Sequence, residues 1–298
     1  MLLEKIIARL RYPLSMPNLS KSTREQVLLL LKKIIEYDVN EKTVFEFSIK
    51  TNNGKIDNSF RVVNYVDYEK DRHEYGRRID LIEKLLGSVC PTADNGKVLE
   101  FFRKKWHNVV PIFIGIESDG VEIFLKLYLN LHIFNKKNEK MVSEFLRLLS
   151  FCTGIRIPAP NRGMYMLGIS FDKNGLRDEC KIYYDFKKNI ILKKDLFTEK
   201  ERSRFEYLKN NNEYAFSSII ERCNNGQVTS RKIDVALNDG INILKNFLDF
   251  CGIDGVEQEL RGIMGRTNGK LRVVSIEKNA LTFYVDLLGY GRDNFDSW

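Results

Sequence analysis

Basic and tyrosine side chains recur at a spacing of two residues within short apolar segments, and this combination can bind a diphosphate. Lys126 precedes Tyr128 by two positions, and Lys181 precedes Tyr183 in the same way. In a β-strand such residues point to the same face. Ammonium groups and phenolic O–H donors bind phosphate oxygens strongly where water is partly excluded. Aromatic rings can in addition stabilise a carbocation through the ring quadrupole.

β-Hairpins are the elements that must position these side chains. A hairpin is indicated by two alternating segments separated by a short turn of Asn, Asp or Gly. The sequence contains four such pairs: 44–50 with 57–68, 109–117 with 121–134, 164–172 with 179–186, and 271–276 with 280–290. The stretch 189–232 holds either a fifth hairpin, for example 215–222 with 227–232, or only helices.

Segments of helical periodicity lie between the hairpins and are predicted at 22–37, 72–86, 138–150 and 233–251. Ser22 and Glu25 form a capping-box pattern at the start of the first segment. Gly87 and Gly252 follow the second and fourth segments as C-terminal caps. Because no linker rich in Pro, Gly or Ser interrupts this order, the prediction is one domain over residues 1–298.

Each predicted strand has one apolar and one polar face. Leu125 and Leu127 share the first face of one strand, whereas Lys126 and Tyr128 share the second. In an ordinary antiparallel sheet the polar face lies in solvent. Because the pattern recurs in every hairpin, closure is favoured, since it removes exposed edge strands. The predicted fold class is therefore α+β, with repeated α-β-β-α units forming a closed antiparallel β-barrel, helices outside and polar faces inside.

Charge and cysteine content restrict the possible partners and compartment. The net charge of +8 and the pI near 9.1 favour an anionic partner, but acidic residues are mixed throughout and no basic tail is present. The five cysteines form no C-x-x-C pair, which is typical of a reducing compartment. The longest apolar runs are too short to cross a bilayer. We therefore expect a cytoplasmic protein without a nucleic-acid or membrane partner.

Taken together, these features resemble the aromatic prenyltransferases of the ABBA, or PT-barrel, fold. The repeated Lys-x-Tyr strands within helix-hairpin-helix units carry the resemblance, which spans most of residues 40–290. The first hairpin, with residues 45–50 followed by Ser59, Phe60 and Arg61, is most similar to the cyanobactin-type enzymes that prenylate cyclic peptides. The resemblance implies transfer of a dimethylallyl or geranyl group from an allylic diphosphate. It also implies an aromatic acceptor, either a small molecule or a Trp or Tyr side chain of a peptide.

The resemblance further implies a role for individual residues. Glu46 matches the carboxylate that orients the acceptor and takes its proton. The implied diphosphate ligands are Arg61, Lys126, Lys181 and Arg272, and the implied cation-shielding side chains are Tyr128, Tyr183 and Tyr284. Phe124, Met166 and Gly168 lie on the polar strand faces and are candidates for the prenyl pocket. The sequence requires no cofactor and assigns no metal ligand, although the peptide-modifying branch implies that Mg²⁺ can assist.

Two alternative functions remain open. Asp172, with Glu179 and Lys181 on the partner strand, has the spacing of metal-dependent nucleases, in which two acids hold Mg²⁺ and a Lys positions water. A non-catalytic barrel that binds an anionic or lipid-like ligand would share the fold without the chemistry. Glu46 discriminates between catalysis and binding, because a carboxylate beside the cations favours catalysis and one outside the barrel favours a binding module.

Overall fold

The computed structural model describes residues 2–15, 19–38, 44–65, 75–105, 112–131, 139–159, 163–184, 192–211, 214–237 and 240–287. Pairs of strands alternate with one or two helices along these residues. Their order is α1 (Leu2–Ser15), α2 (Lys21–Asp38), β1 (Val44–Asn52), β2 (Lys55–Tyr65), α3 (Tyr75–Val89), α4 (Gly96–Lys105), β3 (Ile112–Ser118), β4 (Ile123–Asn130), α5 (Glu139–Thr153), β5 (Met164–Asp172), β6 (Gly175–Tyr184), α6 (Glu199–Asn211), β7 (Tyr214–Asn224), β8 (Gln227–Leu237), α7 (Gly240–Cys251), α8 (Val256–Thr267), β9 (Lys270–Ile276) and β10 (Ala280–Asp286).

The strands form a closed antiparallel barrel in which each strand pairs with its neighbours in sequence and β1 pairs with β10. Successive pairs are hairpins, so the five hairpin turns lie at one end of the barrel and the helical connections at the other. In the first turn Asn53 and Gly54 have φ values of 50° and 80°. A two-residue turn with positive φ at both positions matches the twist of the flanking strands. The predicted fold class is confirmed.

The apolar strand faces point outward and are covered by the helices. Leu125, Leu127 and Leu129 of β4 belong to the same buried cluster as Leu85 of α3 and Phe145 of α5. The helices bury their own apolar stripes in this layer. The polar strand faces are thereby left to line the interior, as the sequence predicts. None of the described helices is long and apolar enough to span a membrane.

A fifth hairpin, β7–β8, is present, and the helix predicted at 233–251 is therefore wrong at its start. Ile233, Val235 and Leu237 continue β8, and all three are buried in the outer layer. Their spacing of two residues fits a strand, and the helix begins only at Gly240. The alternation through Leu237 was the signal that the helical interpretation overlooked.

Other helix boundaries also differ from the predictions. The N–H of Thr23 donates to the Ser20 hydroxyl at 3.0 Å, so Ser20 rather than Ser22 caps α2. Helix α3 continues through Gly87 to Val89, because neighbouring apolar residues keep its face buried. Helices α1, α4 and α8 lie outside the segments predicted as helical, and α6 lies within 189–232, for which helices are one of the two alternatives. The predicted segment ends at 66–68, 72–74, 109–111, 132–134, 185–186 and 288–290 lie outside the described residues.

Truncation of an outward-facing strand residue tests this layer. Leu127 is 0% exposed between the barrel and its helices, so Leu127→Ala removes buried methyl groups and leaves a cavity. We expect the free energy of unfolding to fall by about 2–5 kcal/mol, measured by chemical denaturation. The control Val121→Ala, at a side chain 82% exposed, is expected to change it by less than about 0.5 kcal/mol. Equal effects of the two variants would contradict the outward orientation of Leu127.

Candidate active site

The interior of the barrel is divided into an apolar zone and a charged zone. The apolar zone lies towards the helical connections and consists of Val63, Phe113, Tyr128, Tyr165, Met166, Tyr183 and Ile220. The charged zone lies towards the hairpin turns and is built from inward residues of several strands. Strand alternation produces both zones. On each strand, the residues that alternate with these inward side chains face the outer layer.

Arg61 on β2 connects the two zones. Its Nη2 donates to Glu46 Oε1 at 3.0 Å, and its Nη1 donates to Tyr128 Oη at 2.8 Å. The guanidinium carbon also lies 4.8 Å from the centre of the Tyr284 ring. The Arg61 and Glu46 side chains are only 11% and 13% exposed. The rigid fork of the guanidinium suits such simultaneous contacts, and it fixes Glu46 inside the barrel.

Glu46 is a carboxyl group with an altered acidity. Burial raises its pKa to about 7, although the charge of Arg61 opposes this shift, and the carboxylates of Asp286 and Asp234 add to it. Asp286 is the register partner of Glu46 across the β1–β10 pair. A carboxyl group with a pKa near neutrality is suited to accept a proton in general base catalysis.

Lys232 on β8 is the centre of a hydrogen-bond network. Its Nζ donates to Tyr284 Oη at 2.7 Å and to Ser275 Oγ at 2.9 Å, and it lies 3.1 Å from Asp234 Oδ1. Ser275 also bonds to Asp234. Burial disfavours the charged ammonium, but Asp234, Tyr284 and Glu277 together outweigh this effect, so the pKa of Lys232 is raised. In the sequence, Lys232 lies at the end of the segment 227–232, and nothing in that pattern indicates a role for it.

Lys126 on β4 pairs with Glu117 on β3, a residue that the sequence analysis did not select. Burial alone would raise the pKa of Glu117, but Lys126 and Lys181 reverse this effect and lower it. Glu117 shares the inward face of β3 with Gly115, and it is the register partner of Arg61. Alternation within β3 was the signal available for Glu117.

Lys181 on β6 and Arg222 on β7 are register partners and both face the interior. Within the described part of the chain, Lys181 has no hydrogen bond or ion pair, and the buried Arg222 Nε has no hydrogen-bond partner. Burial, with a contribution from the charge of Lys126, lowers the pKa of Lys181 well below its usual value. Partly buried cations without partners are costly, so this pair favours an anionic ligand.

Side chains of the charged zone surround a small cavity of about 70 Å³. Cationic side chains outnumber carboxylates in its lining. The charged lining residues are Lys50, Arg61, Lys181, Arg222 and Lys232 against Glu117 and Glu277. The excess of positive charge, together with the Tyr284 hydroxyl, makes the cavity suitable for a phosphorylated ligand.

Arg272, which the resemblance assigns to diphosphate binding, is placed differently. Its Nε lies 3.4 Å from Asp286 Oδ2, and it does not line the cavity that contains Lys181. Lys126 also lies outside that lining, but its partner Glu117 belongs to it. Arg272 is therefore closer to the Glu46 end of the barrel than to the unpaired cations.

The three residues expected in the prenyl pocket lie inside the barrel at separate places. Met166 belongs to the apolar zone. Phe124 lies under Arg177, whose guanidinium carbon is 4.8 Å from the ring centre. A Cβ added at Gly168 would lie 3.4 Å from the ring of Tyr128 and 3.5 Å from Lys181 Cβ, so this glycine makes room for Tyr128. Their role in donor length stays a prediction.

The alternative nuclease site is occupied by an arginine. Arg177 lies 4.0 Å from Asp172 and 3.8 Å from Glu179, which neutralises the two carboxylates that would hold a metal. Among the described residues, no group of three or more His, Cys, Asp and Glu side chains is arranged to hold a metal ion. This arrangement does not fit two-acid Mg²⁺ coordination.

Comparison with solved structures identifies the fold. A 6-dimethylallyl tryptophan synthase superposes with a TM-score of 0.61 at 10% identity, covering 97% of each chain. The same enzyme type from Micromonospora olivasterospora, in complex with DMASPP and Trp, gives 0.61 at 12% identity, covering 96% of this chain and 97% of that one. NotF, in complex with brevianamide F and DMSPP, gives 0.61 at 11% identity, covering 92% and 90%.

The chain therefore has the PT-barrel fold of the ABBA-type aromatic prenyltransferases. No protein-family model and no curated protein matches the sequence. At these identities the likeness establishes the barrel and its order of strands, whereas the chemistry has to be argued from the interior of this chain.

The raised pKa of Glu46 predicts a pH-dependent stability. A carboxyl whose pKa is raised on folding contributes stability that is complete below about pH 4.5 and is lost as the pH rises through about 7. The shift corresponds to about 3 kcal/mol. Relative to Glu46→Gln, the wild type should lose up to this free energy of unfolding between pH 4.5 and 8, measured by denaturation at each pH. A constant difference between the two proteins would show that Glu46 titrates normally.

Proposed function

We propose that this protein is an aromatic prenyltransferase that transfers a dimethylallyl or geranyl group from an allylic diphosphate to an aromatic acceptor. The observation that carries the proposal concerns Lys181 and Arg222, which face a cavity with excess positive charge and have no side-chain hydrogen bond or ion pair within the described residues. Glu46 lies within the same barrel, joined to this cavity through Arg61. Structural neighbours of the same fold are described in complex with DMASPP or DMSPP.

The first step would be departure of the diphosphate. The bond between the allylic carbon and the bridging oxygen breaks, and its electron pair stays on the diphosphate. Lys181, Arg222 and Arg61 would stabilise the negative charge that develops, an effect that usually dominates such catalysis. The rings of Tyr128 and Tyr183, 6.1 Å apart between their centres, would lie beside the allylic cation and stabilise it.

The second step would be capture of the cation by the acceptor ring. A ring carbon forms the new bond to the allylic carbon, and the ring then loses a proton to restore aromaticity. Glu46 is the proposed base, because it is an interior carboxylate with a pKa near 7. Its place inside the barrel favours catalysis over the alternative of a non-catalytic binding barrel. Arg61 would hold the carboxylate in position through its 3.0 Å bond.

The acceptor is proposed to be an indole or phenol, either as a small molecule or as a Trp or Tyr side chain of a peptide. The resemblance of the first hairpin to cyanobactin-type enzymes supports the peptide. NotF, which binds brevianamide F, and the synthase that binds Trp have the same fold as this chain.

Donor binding can be tested by thermal denaturation with a non-hydrolysable dimethylallyl diphosphate analogue. A ligand at 100 times its Kd stabilises the native state by about 2.7 kcal/mol, so the melting temperature should rise by several degrees. We expect Lys181→Ala and Arg222→Ala to abolish the shift. The control Arg231→Ala should retain it, because Arg231 pairs with Glu221 on the outer face. A shift of equal size in all four proteins would place binding elsewhere.

The transfer reaction can be followed by mass spectrometry with dimethylallyl diphosphate and either free Trp, Tyr or a cyclic peptide containing them. We expect Glu46→Gln to lower kcat by about 10²–10⁴-fold while the donor still binds. In the wild type, kcat/KM should rise with pH through about 7, because the base must be ionised. Donor binding without transfer to any aromatic acceptor would instead support the binding-barrel alternative.

A further inference from the structure

Glu117 is an anion built into the cationic part of the barrel. Its carboxylate pairs with the Lys126 ammonium, and both side chains are largely buried, with exposures of 27% and 7%. It lines the same cavity as Lys181, Arg222 and Lys232. The proposed steps of the transfer reaction leave this carboxylate without a role, although it stands among the groups that would hold the diphosphate.

The charges around Glu117 indicate what it does. The Lys126 ammonium pairs with this carboxylate, Arg61 is its register partner on β2, and Lys181 lines the same cavity. All three cations act against burial to lower its pKa. A diphosphate bound to Lys181 and Arg222 would meet a like charge there. The buried carboxylate would also compete with the diphosphate for Lys126. Like charges at such distances repel appreciably in a partly water-excluded site.

We propose that Glu117 is a counter-anion that limits the affinity of the barrel for diphosphate, and that it thereby promotes release of the diphosphate product. This inference rests on the proposed function. In the empty barrel Glu117 compensates the buried charge of Lys126. When diphosphate binds, the cations divide their attraction between two anions, so the ligand is held less tightly than the number of cations implies.

Glu117 would act through the lysines and not by contact with the reacting carbon, which makes it a positioning residue. Its removal should change binding in a direction that damage to the fold cannot produce. A distorted site binds more weakly, whereas a site that has lost an internal anion binds an anion more tightly. Tighter product binding should also slow turnover where product release limits the rate.

The test is isothermal titration of inorganic diphosphate into the wild type and Glu117→Gln at pH 7. The amide keeps the shape of the side chain and removes its charge, so we expect the Kd to fall by about tenfold. The donor KM should fall with it, and kcat should fall or stay unchanged. The matched control is Glu221→Gln, a carboxylate on β7 that pairs with Arg231 on the outer face, and its Kd should equal that of the wild type.

A second pair of variants keeps the test valid if Glu117→Gln folds poorly. Lys126→Met with Glu117→Gln removes both buried charges together, which is tolerated better than the loss of one. This double variant should bind diphosphate more tightly than Lys126→Met alone, because Lys181 is relieved of the same competitor. Equal or weaker binding in both comparisons would overturn the role of Glu117.

The outcomes separate this inference from the proposed function. If Lys181→Ala abolishes diphosphate binding but Glu117→Gln does not strengthen it, the diphosphate site is supported and the role of Glu117 is overturned. Absence of diphosphate binding in the wild type and in both Glu117 variants would overturn the donor site and this inference together. Tighter binding in Glu117→Gln with an unchanged Glu221→Gln control would support both.

Discussion

Burial of the apolar strand faces under an outer layer of helices is the constraint on which the rest of the structure depends. A closed barrel of about eight strands has an interior just wide enough to be filled by side chains or to hold one small ligand. Here Leu125 and Leu127 point outward into the helical layer, so their neighbours Lys126 and Tyr128 must point inward. The outer layer thus supplies the hydrophobic stability that allows a charged interior.

A charged interior is stable only if most of its charges are compensated. Three ion pairs provide this compensation. Glu46–Arg61 and Glu117–Lys126 each join neighbouring strands, and Asp234–Lys232 joins two inward residues of β8. Such pairs contribute little net stability, because desolvation offsets most of their attraction. Their effect is to hold long side chains in fixed positions. Against this background, Lys181 and Arg222, which have no ion pair within the described residues, mark the place where an external anion would add compensation.

The sequence predicted those parts of the site that are encoded within one strand. Lys126, Tyr128, Lys181 and Tyr183 are recognisable because residues two apart share a face. Arg222 and Lys232 acquire their significance from register between strands, which a single sequence does not display. The helical interpretation of 233–251 hid the continuation of β8 and with it the network around Lys232. The overall barrel was nevertheless predictable, because the alternation recurs in every hairpin.

The site is distributed over many strands, so the charge of the cavity can change one residue at a time. Each strand contributes a few inward side chains, so exchanging one of them alters the charge of the cavity while the outer layer and the register stay the same. Glu46 illustrates the result, since its pKa depends on Arg61 from β2, Asp286 from β10 and Asp234 from β8. No single segment carries the acid-base behaviour of this carboxyl group. It arises only when the barrel closes through β1 and β10, which makes closure a condition of both the fold and the proposed chemistry.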